Sequence, residues 1–153
     1  MPNTYTQLYI QIVFAVKGRQ NLIPKQHKDE IHKYITGIIQ KRDNKLIAIN
    51  SMPDHAHIFV GLSPSQSISD LVRDIKTNSS SFITEKEFVR QKFSWQEGYG
   101  AFSYSQSHID AVVKYILNQE AHHKKKTFRE EYISFLKKFN VEYDEKYLFD
   151  FIE

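Results

Sequence analysis

The chain contains no cysteine. Disulfides, thiolate nucleophiles and thiolate metal sites are therefore excluded, and a reducing compartment suits it. Apolar runs of the roughly 18 residues needed to cross a bilayer are missing. The opening stretch, MPNTYTQ, lacks the basic and apolar segments of a secretory signal. A membrane partner is not expected. There are five glycines, and none sits in a phosphate-cradling loop, so ATP chemistry finds no support. Repeats, low-complexity tracts and long linkers are absent too.

What is present describes a globular protein. Hydrophobic residues make up 41% and charged residues 25% of 153 positions, which fits a single domain, 1–153. That length buries a core without disulfides or structural metal. The net charge of +3 and pI near 8.9 permit a nucleic-acid partner without demanding one. Aromatic residues, at 14%, serve base stacking as well as core packing.

Residues 6–16, TQLYIQIVFAV, read as a first strand, because β-branched and aromatic residues dominate. A basic loop, KGRQNLI, leads to Pro24 at a helix start. Ile31, Tyr34, Ile35, Ile38 and Ile39 follow helical spacing, so 25–41 is expected to be an amphipathic helix. KLIAINSM and HAHIFVGL are two strands separated by the turn signal PD. SISDLVRDIKTNSSSFI gives a second helix, and FSWQEGYGAFSYS a fourth strand interrupted by glycines. The order β-α-β-β-α-β predicts an α+β fold: a ferredoxin-like (RRM-like) antiparallel sheet with two helices on one face. C-terminal helices follow, SHIDAVVKYILNQEAHHKK and TFREEYISFLKKF. The acidic, aromatic tail NVEYDEKYLFDFIE is expected to pack on the body.

Within SMPDHAHIFV, two histidines stand one residue apart in an apolar run. Strand residues i and i+2 share a face, so His55 and His57 project together while Ala56 and Ile58 face the other layer. Two imidazoles on one rigid face can offer two nitrogens to one metal ion. The competing reading is a pair of partly exposed strand residues with hydrogen-bond partners. Further on, Ile109, Val112, Val113 and Ile116 form a helical apolar stripe, and Tyr115 and Gln119 lie four apart on one flank of it. Taken alone, these two read equally as a boundary aromatic and a solvated amide. Together, His, His and an amide oxygen make a mixed N/N/O site with open positions. Such a site suits Mg²⁺ or Mn²⁺ carrying a phosphate. A tyrosine beside that ion can attack a phosphodiester and store the bond as a phosphotyrosine ester.

MPDHAHIFVGL, SISDLVRDIKTNSS, WQEGYGAFSYS and VVKYILNQEAHH occur in the order and spacing of a known group. Over residues 5 to 140 the chain resembles the small HUH-class single-tyrosine transposases of IS200-like insertion sequences. The resemblance implies that His55 and His57 are the metal ligands, Gln119 the third ligand and Tyr115 the nucleophile. It implies a 5′-phosphotyrosine, a released 3′-OH, and single-stranded DNA with hairpins as substrate. It also implies an obligate homodimer, in which the tyrosine helix of one subunit can complete the other's site. The implied setting is the bacterial or archaeal cytoplasm, at the nucleoid. One departure is Ala56, where the family carries a bulkier residue. That position faces away from the ligands, so a packing change is expected.

Lys17, Arg19, Arg73, Lys76 and Asn78 are candidate DNA contacts, with Ser79 beside them in IKTNSS. Each cation alone reads equally as solvated surface. Trp95, Tyr99, Phe102 and Tyr104 could stack bases, though at strand spacing core or sheet positions are the commoner use. His122 and His123 read as surface residues, with a role near metal or phosphate as the alternative. Two other functions compete: a non-catalytic RRM-like nucleic-acid-binding module, and an HUH nickase of replication or transfer.

Overall fold

The structure, a computed structural model, describes residues 3–18 and 22–151. Among the described residues, four strands form one sheet: β1 (Tyr9–Ala15), β2 (Lys45–Met52), β3 (His55–Gly61) and β4 (Gly100–Tyr104). Their spatial order is β2-β3-β1-β4, and every neighbouring pair is antiparallel. Helix α1 (Lys28–Lys41) carries the chain from β1 to β2 past the slot that β3 fills. Helix α2 (Ile68–Glu85) carries it from β3 to β4 across β1. Pro53 and Asp54 form the tight turn between β2 and β3, as the PD signal predicts.

Alternation along the strands decides what each face holds. Ile12, Phe14, Ala56, Ile58 and Val60 join Ile31, Ile35 and Ile39 of α1 and Leu71, Val72 and Ile75 of α2 in one buried cluster. These apolar positions recur at helical spacing on both helices, which fixes the buried side of each. Ser67 caps α2, its hydroxyl accepting from the Asp70 N–H at 3.0 Å. Ala56 is buried in this layer, on the face away from the histidines.

The opposite face is covered by the C-terminal helices α3 (Ile109–Leu117), α4 (Gln119–His123) and α5 (Phe128–Lys138). Val112 and Ile116 of α3 pack on Ala48 and Phe59. Phe128 and Phe135 of α5 meet His55 and Phe102 face to face, with centroids 3.8 and 5.2 Å apart. Thr127 starts α5 with a capping box: its hydroxyl accepts from Glu130 N–H, and the Glu130 carboxylate accepts from Thr127 N–H.

Two expectations need correction. The single helix expected through Tyr115 and Gln119 is broken at Asn118 (φ −98°, ψ 24°). The cause lies on β2: the buried Asn50 amide donates to the carbonyls of Ile116 (2.8 Å) and Leu117 (3.5 Å). Those carbonyls would otherwise accept from the next helical turn. The fourth strand is also shorter than 93–105. Trp95 keeps only an isolated bridge to Val16, and the intervening loop turns at Gly98, whose φ is +86°. The tail behaves as expected over its described part. Phe149 and Phe151 lie against Phe128 and Tyr132, and the Gln96 side chain both donates to and accepts from the Asp150 backbone.

Candidate active site

Under α3, α4 and α5 the sheet carries buried polar residues among its apolar ones. His55, His57 and Gln11 are all fully buried. The register places His57 beside Val13 and His55 beside Ala15. Each ring is anchored through Nδ1. His55 Nδ1 pairs with Asp54 Oδ1 at 2.7 Å, and His57 Nδ1 with Gln11 Oε1 at 2.8 Å. Both acceptors are oxygens, so Nδ1 carries the proton and Nε2 turns inward with its lone pair.

What those inner nitrogens meet is also oxygen. His55 Nε2 lies 3.2 Å from Gln119 Oε1 and 3.3 Å from Glu131 Oε1. His57 Nε2 lies 3.1 Å from the same Glu131 oxygen. His123 Nε2 approaches Gln119 Oε1 at 3.0 Å and Glu131 Oε1 at 3.1 Å. The second carboxylate oxygen of Glu131 accepts from the Tyr115 hydroxyl and from Gln119 Nε2 (3.1 Å). Gln119 is fully buried and Glu131 nearly so.

Lone pairs pointing at oxygens are stable only with a positive charge between them, a proton or a cation. With protons, burial opposes charge on His55, but hydrogen bonds to Asp54 and Glu131 outweigh it and hold its pKa above the ordinary imidazole value. For His57 burial wins over Glu131, and the pKa is lowered. Burial alone would raise the Glu131 pKa, but hydrogen bonds from His123, His55 and His57 press it far below the usual carboxylate range. Burial, then the adjacent carboxylate, pushes the Tyr115 phenol well above its ordinary value.

With a cation, the same donors fit. The ligand atoms of His55, His57 and Glu131 lie within 4.8 Å of one another. A six-coordinate ion with bonds of about 2.1 Å needs neighbouring donors about 3 Å apart, close to the contacts seen here. Two imidazoles, a carboxylate and an amide oxygen form an N/O set that divalent Mg or Mn accepts.

The four residues singled out from sequence, His55, His57, Tyr115 and Gln119, thus come together from β3, α3 and α4. Tyr115 faces the histidines of its own chain, its ring 6.0 Å from His57, and His122 stacks on its outer side at 4.5 Å. Sequence reasoning missed Glu131 and Gln11, and placed His123 at the surface. A signal existed for two of them. Glu131 stands on the apolar stripe of α5 with Phe128, Tyr132 and Phe135, and Gln11 interrupts an apolar strand. A polar residue on a buried stripe needs a partner.

The DNA-contact candidates lie elsewhere. Arg73, Lys76 and Asn78 are on α2, across the sheet from the histidines. Arg73 is exposed and pairs with Asp70. The Lys76 ammonium donates to the Gln96 and Gly98 carbonyls, and burial lowers its pKa to about 8. The Asn78 amide donates to Asp74. Lys17 is exposed, its backbone N–H donating to Ser94, while Arg19 falls outside the described residues. Of the aromatic candidates, Trp95 and Phe102 are core residues, Tyr104 is half-buried and Tyr99 is exposed. Among the described residues, no helix is long and apolar enough to cross a membrane.

Comparison with known proteins bears on this arrangement. The family model described as Transposase IS200 like matches residues 4–119. The ISDra2 transposase TnpA of Deinococcus radiodurans is 24% identical over 118 residues, covering 74% of this chain and 84% of that protein. Among solved structures, a candidate transposase from Deinococcus radiodurans R1 shares the fold with a TM-score of 0.61 and 22% identity, covering 76% of this chain and 94% of its own. A REP-associated tyrosine transposase bound to a REP hairpin gives a TM-score of 0.60 at 16% identity, covering 79% of this chain and 72% of its own. Because the family match takes in most of the chain, including the paired histidines, Tyr115 and Gln119, this protein belongs to the IS200-like transposase family.

Proposed function

We propose that the protein cuts and rejoins single-stranded DNA ends bearing hairpins, through a 5′-phosphotyrosine on Tyr115. The observation that carries the reading is the meeting of His55, His57, Gln119 and Tyr115 at one buried point. A non-catalytic module would have no use for that convergence. The β-α-β-β-α-β order supports assigning the sheet to the ferredoxin-like (RRM-like) class. The relative bound to a REP hairpin supports a hairpin ligand here. On the family's pattern the working unit is a homodimer.

His55 and His57 would hold Mg²⁺ or Mn²⁺, with oxygens from Gln119 and Glu131. When bound, the ion supplies polarisation of the phosphoryl oxygen and offsets the charge that develops there. Gln11 and Asp54 keep both rings turned so that Nε2 faces the cluster. Glu131 Oε2 holds the Tyr115 hydroxyl proton at the start. Tyr115 Oη then attacks phosphorus as its proton passes to Glu131 Oε2, the bond to the 3′-oxygen breaks, that oxygen takes up one proton and leaves as the 3′-hydroxyl, and the ester conserves the linkage for rejoining. The inner donor atoms are buried beneath α4 and α5, while Tyr115 lines a cavity beside them.

The test is incubation with Mn²⁺ and single-stranded oligonucleotides drawn from the DNA flanking the gene. A denaturation-resistant protein–DNA adduct is expected. Tyr115→Phe should lose it by at least about 1,000-fold while DNA binding persists, because the nucleophile is gone and the surface is unchanged. An adduct that survives the substitution moves the nucleophile elsewhere, Tyr104 being next in line.

A further inference from the structure

The family match ends at residue 119, and the helix beyond it helps build a cavity that strand cleavage leaves unassigned. This cavity, about 310 Å³, is walled by Gln11 of β1 and Tyr104 of β4, by α3 and by α5. Tyr115 and Glu131 form its inner wall, so it opens directly onto the nucleophile. That volume is at the lower end of the range for small-ligand pockets, about 300–1,000 Å³, and accommodates one nucleotide unit, not a duplex.

Its lining changes character from inside to rim. Tyr104 and Phe135 present aromatic surface within. The Tyr104 hydroxyl accepts from Gln11 Nε2 at 3.0 Å and can donate its own proton to a base edge. At the rim stand two exposed cations, Lys126 and Lys138. Lys126 Nζ is held by Ser134 Oγ at 2.9 Å, and Lys138 Nζ sits 5.7 Å from the Tyr104 ring centroid. The Glu131 carboxylate on the inner wall leaves no place for a second phosphate beside the scissile one, so the next phosphate belongs at the lysine rim and an uncharged base inside.

We propose that this cavity takes one unpaired nucleotide of the substrate strand, adjacent to the scissile phosphate. Its base lies against Tyr104 and Phe135 and its phosphate at Lys126 and Lys138. Aromatic stacking of an unpaired base together with a cationic backbone contact is the general way proteins hold single strands. The inference rests on the strand-cleavage reading and adds a base-holding subsite to which the segment outside the family match contributes one wall.

The experiment uses a single-stranded oligonucleotide from the gene's flanks with 2-aminopurine placed at successive positions, bound to the full chain. Fluorescence should change at one label position with the wild-type protein. Ser134→Trp, which fills the cavity from its exposed wall, should remove that change and weaken binding at least tenfold. The Lys126→Ala/Lys138→Ala double variant leaves the aromatic wall intact and should weaken binding at least tenfold, with a smaller salt dependence. An unchanged melting temperature and Mn²⁺ affinity in the double variant would exclude misfolding. Binding and fluorescence that stay at wild-type level in both variants overturn the proposal, whatever the chemistry. Loss of the signal in Ser134→Trp, with no Tyr115 adduct from the wild type, keeps the pocket and rejects the cleavage reading.

Discussion

The two faces of the sheet are made by alternate residues of the same strands, yet they obey different rules. On β3, Ala56, Ile58 and Val60 enter an aliphatic layer against α1 and α2, while His55, His57 and Phe59 turn toward α3, α4 and α5. On β1, Ile12 and Phe14 go one way and Gln11 the other. The first face is held by non-directional burial, which tolerates exchange among residues of similar volume. The second adds to such packing a set of directed contacts in which one carboxylate serves three imidazoles, a phenol and an amide. Such a network is stable only if every member is satisfied, and that makes it responsive to a cation. Foundation and reacting groups are thus separated by one residue of strand period.

Neighbouring substitutions on β3 would break this contrast most sharply. His57→Ala should weaken Mn²⁺ binding by at least about 100-fold, beyond what loss of an outer partner costs, as followed by calorimetry or Mn²⁺ resonance. Ile58→Ala, one residue on, should lower stability by about 2–5 kcal/mol in urea unfolding and leave Mn²⁺ affinity within about twofold. If Ile58→Ala removes metal binding as thoroughly as His57→Ala, the two faces are not separable.

Acid sharpens the comparison from the other side. His32 on α1 meets Ser51 of β2 at 2.8 Å on the aliphatic side of the sheet. Burial, then nearby Lys28, lowers its pKa to about 4. The unfolded chain takes up that proton near the ordinary value of about 6.5, and the folded chain resists until about 4. Stability should therefore fall as pH drops through that window, by up to about 3 kcal/mol from this residue. His32→Gln should flatten the difference in melting temperature between pH 7 and pH 4.5. A wild-type slope retained in that variant would place the acid sensitivity in the histidine cluster. The smallest effect belongs to Thr127→Ala, which removes the cap of α5 and should lower stability by about 1 kcal/mol in urea unfolding.

Much of this was legible one element at a time. Period-two alternation put His55 and His57 on one face, and helical spacing found the stripes of α1 and α2. Spacing of four set Tyr115 beside Gln119. What spacing missed was the break at Asn118, because its cause, Asn50, lies 68 positions earlier on β2 and acts only once α3 has docked. Glu131 was missed for a related reason. Its partners are on β3 and α4, and a carboxylate on an apolar stripe says that something waits for it without saying what.

Local order along the chain was therefore settled by short-range terms: strand and helix periods, the PD turn, the caps at Ser67 and Thr127, and the family-like blocks around the histidines and the tyrosine. The closing of α5 over the histidines, and the capture of Tyr115 and three imidazoles by Glu131, came from long-range packing of Phe128 and Phe135 onto the sheet. Contacts between distant segments carry no periodic mark in a single chain, because the free energy that creates them appears only when the surfaces meet.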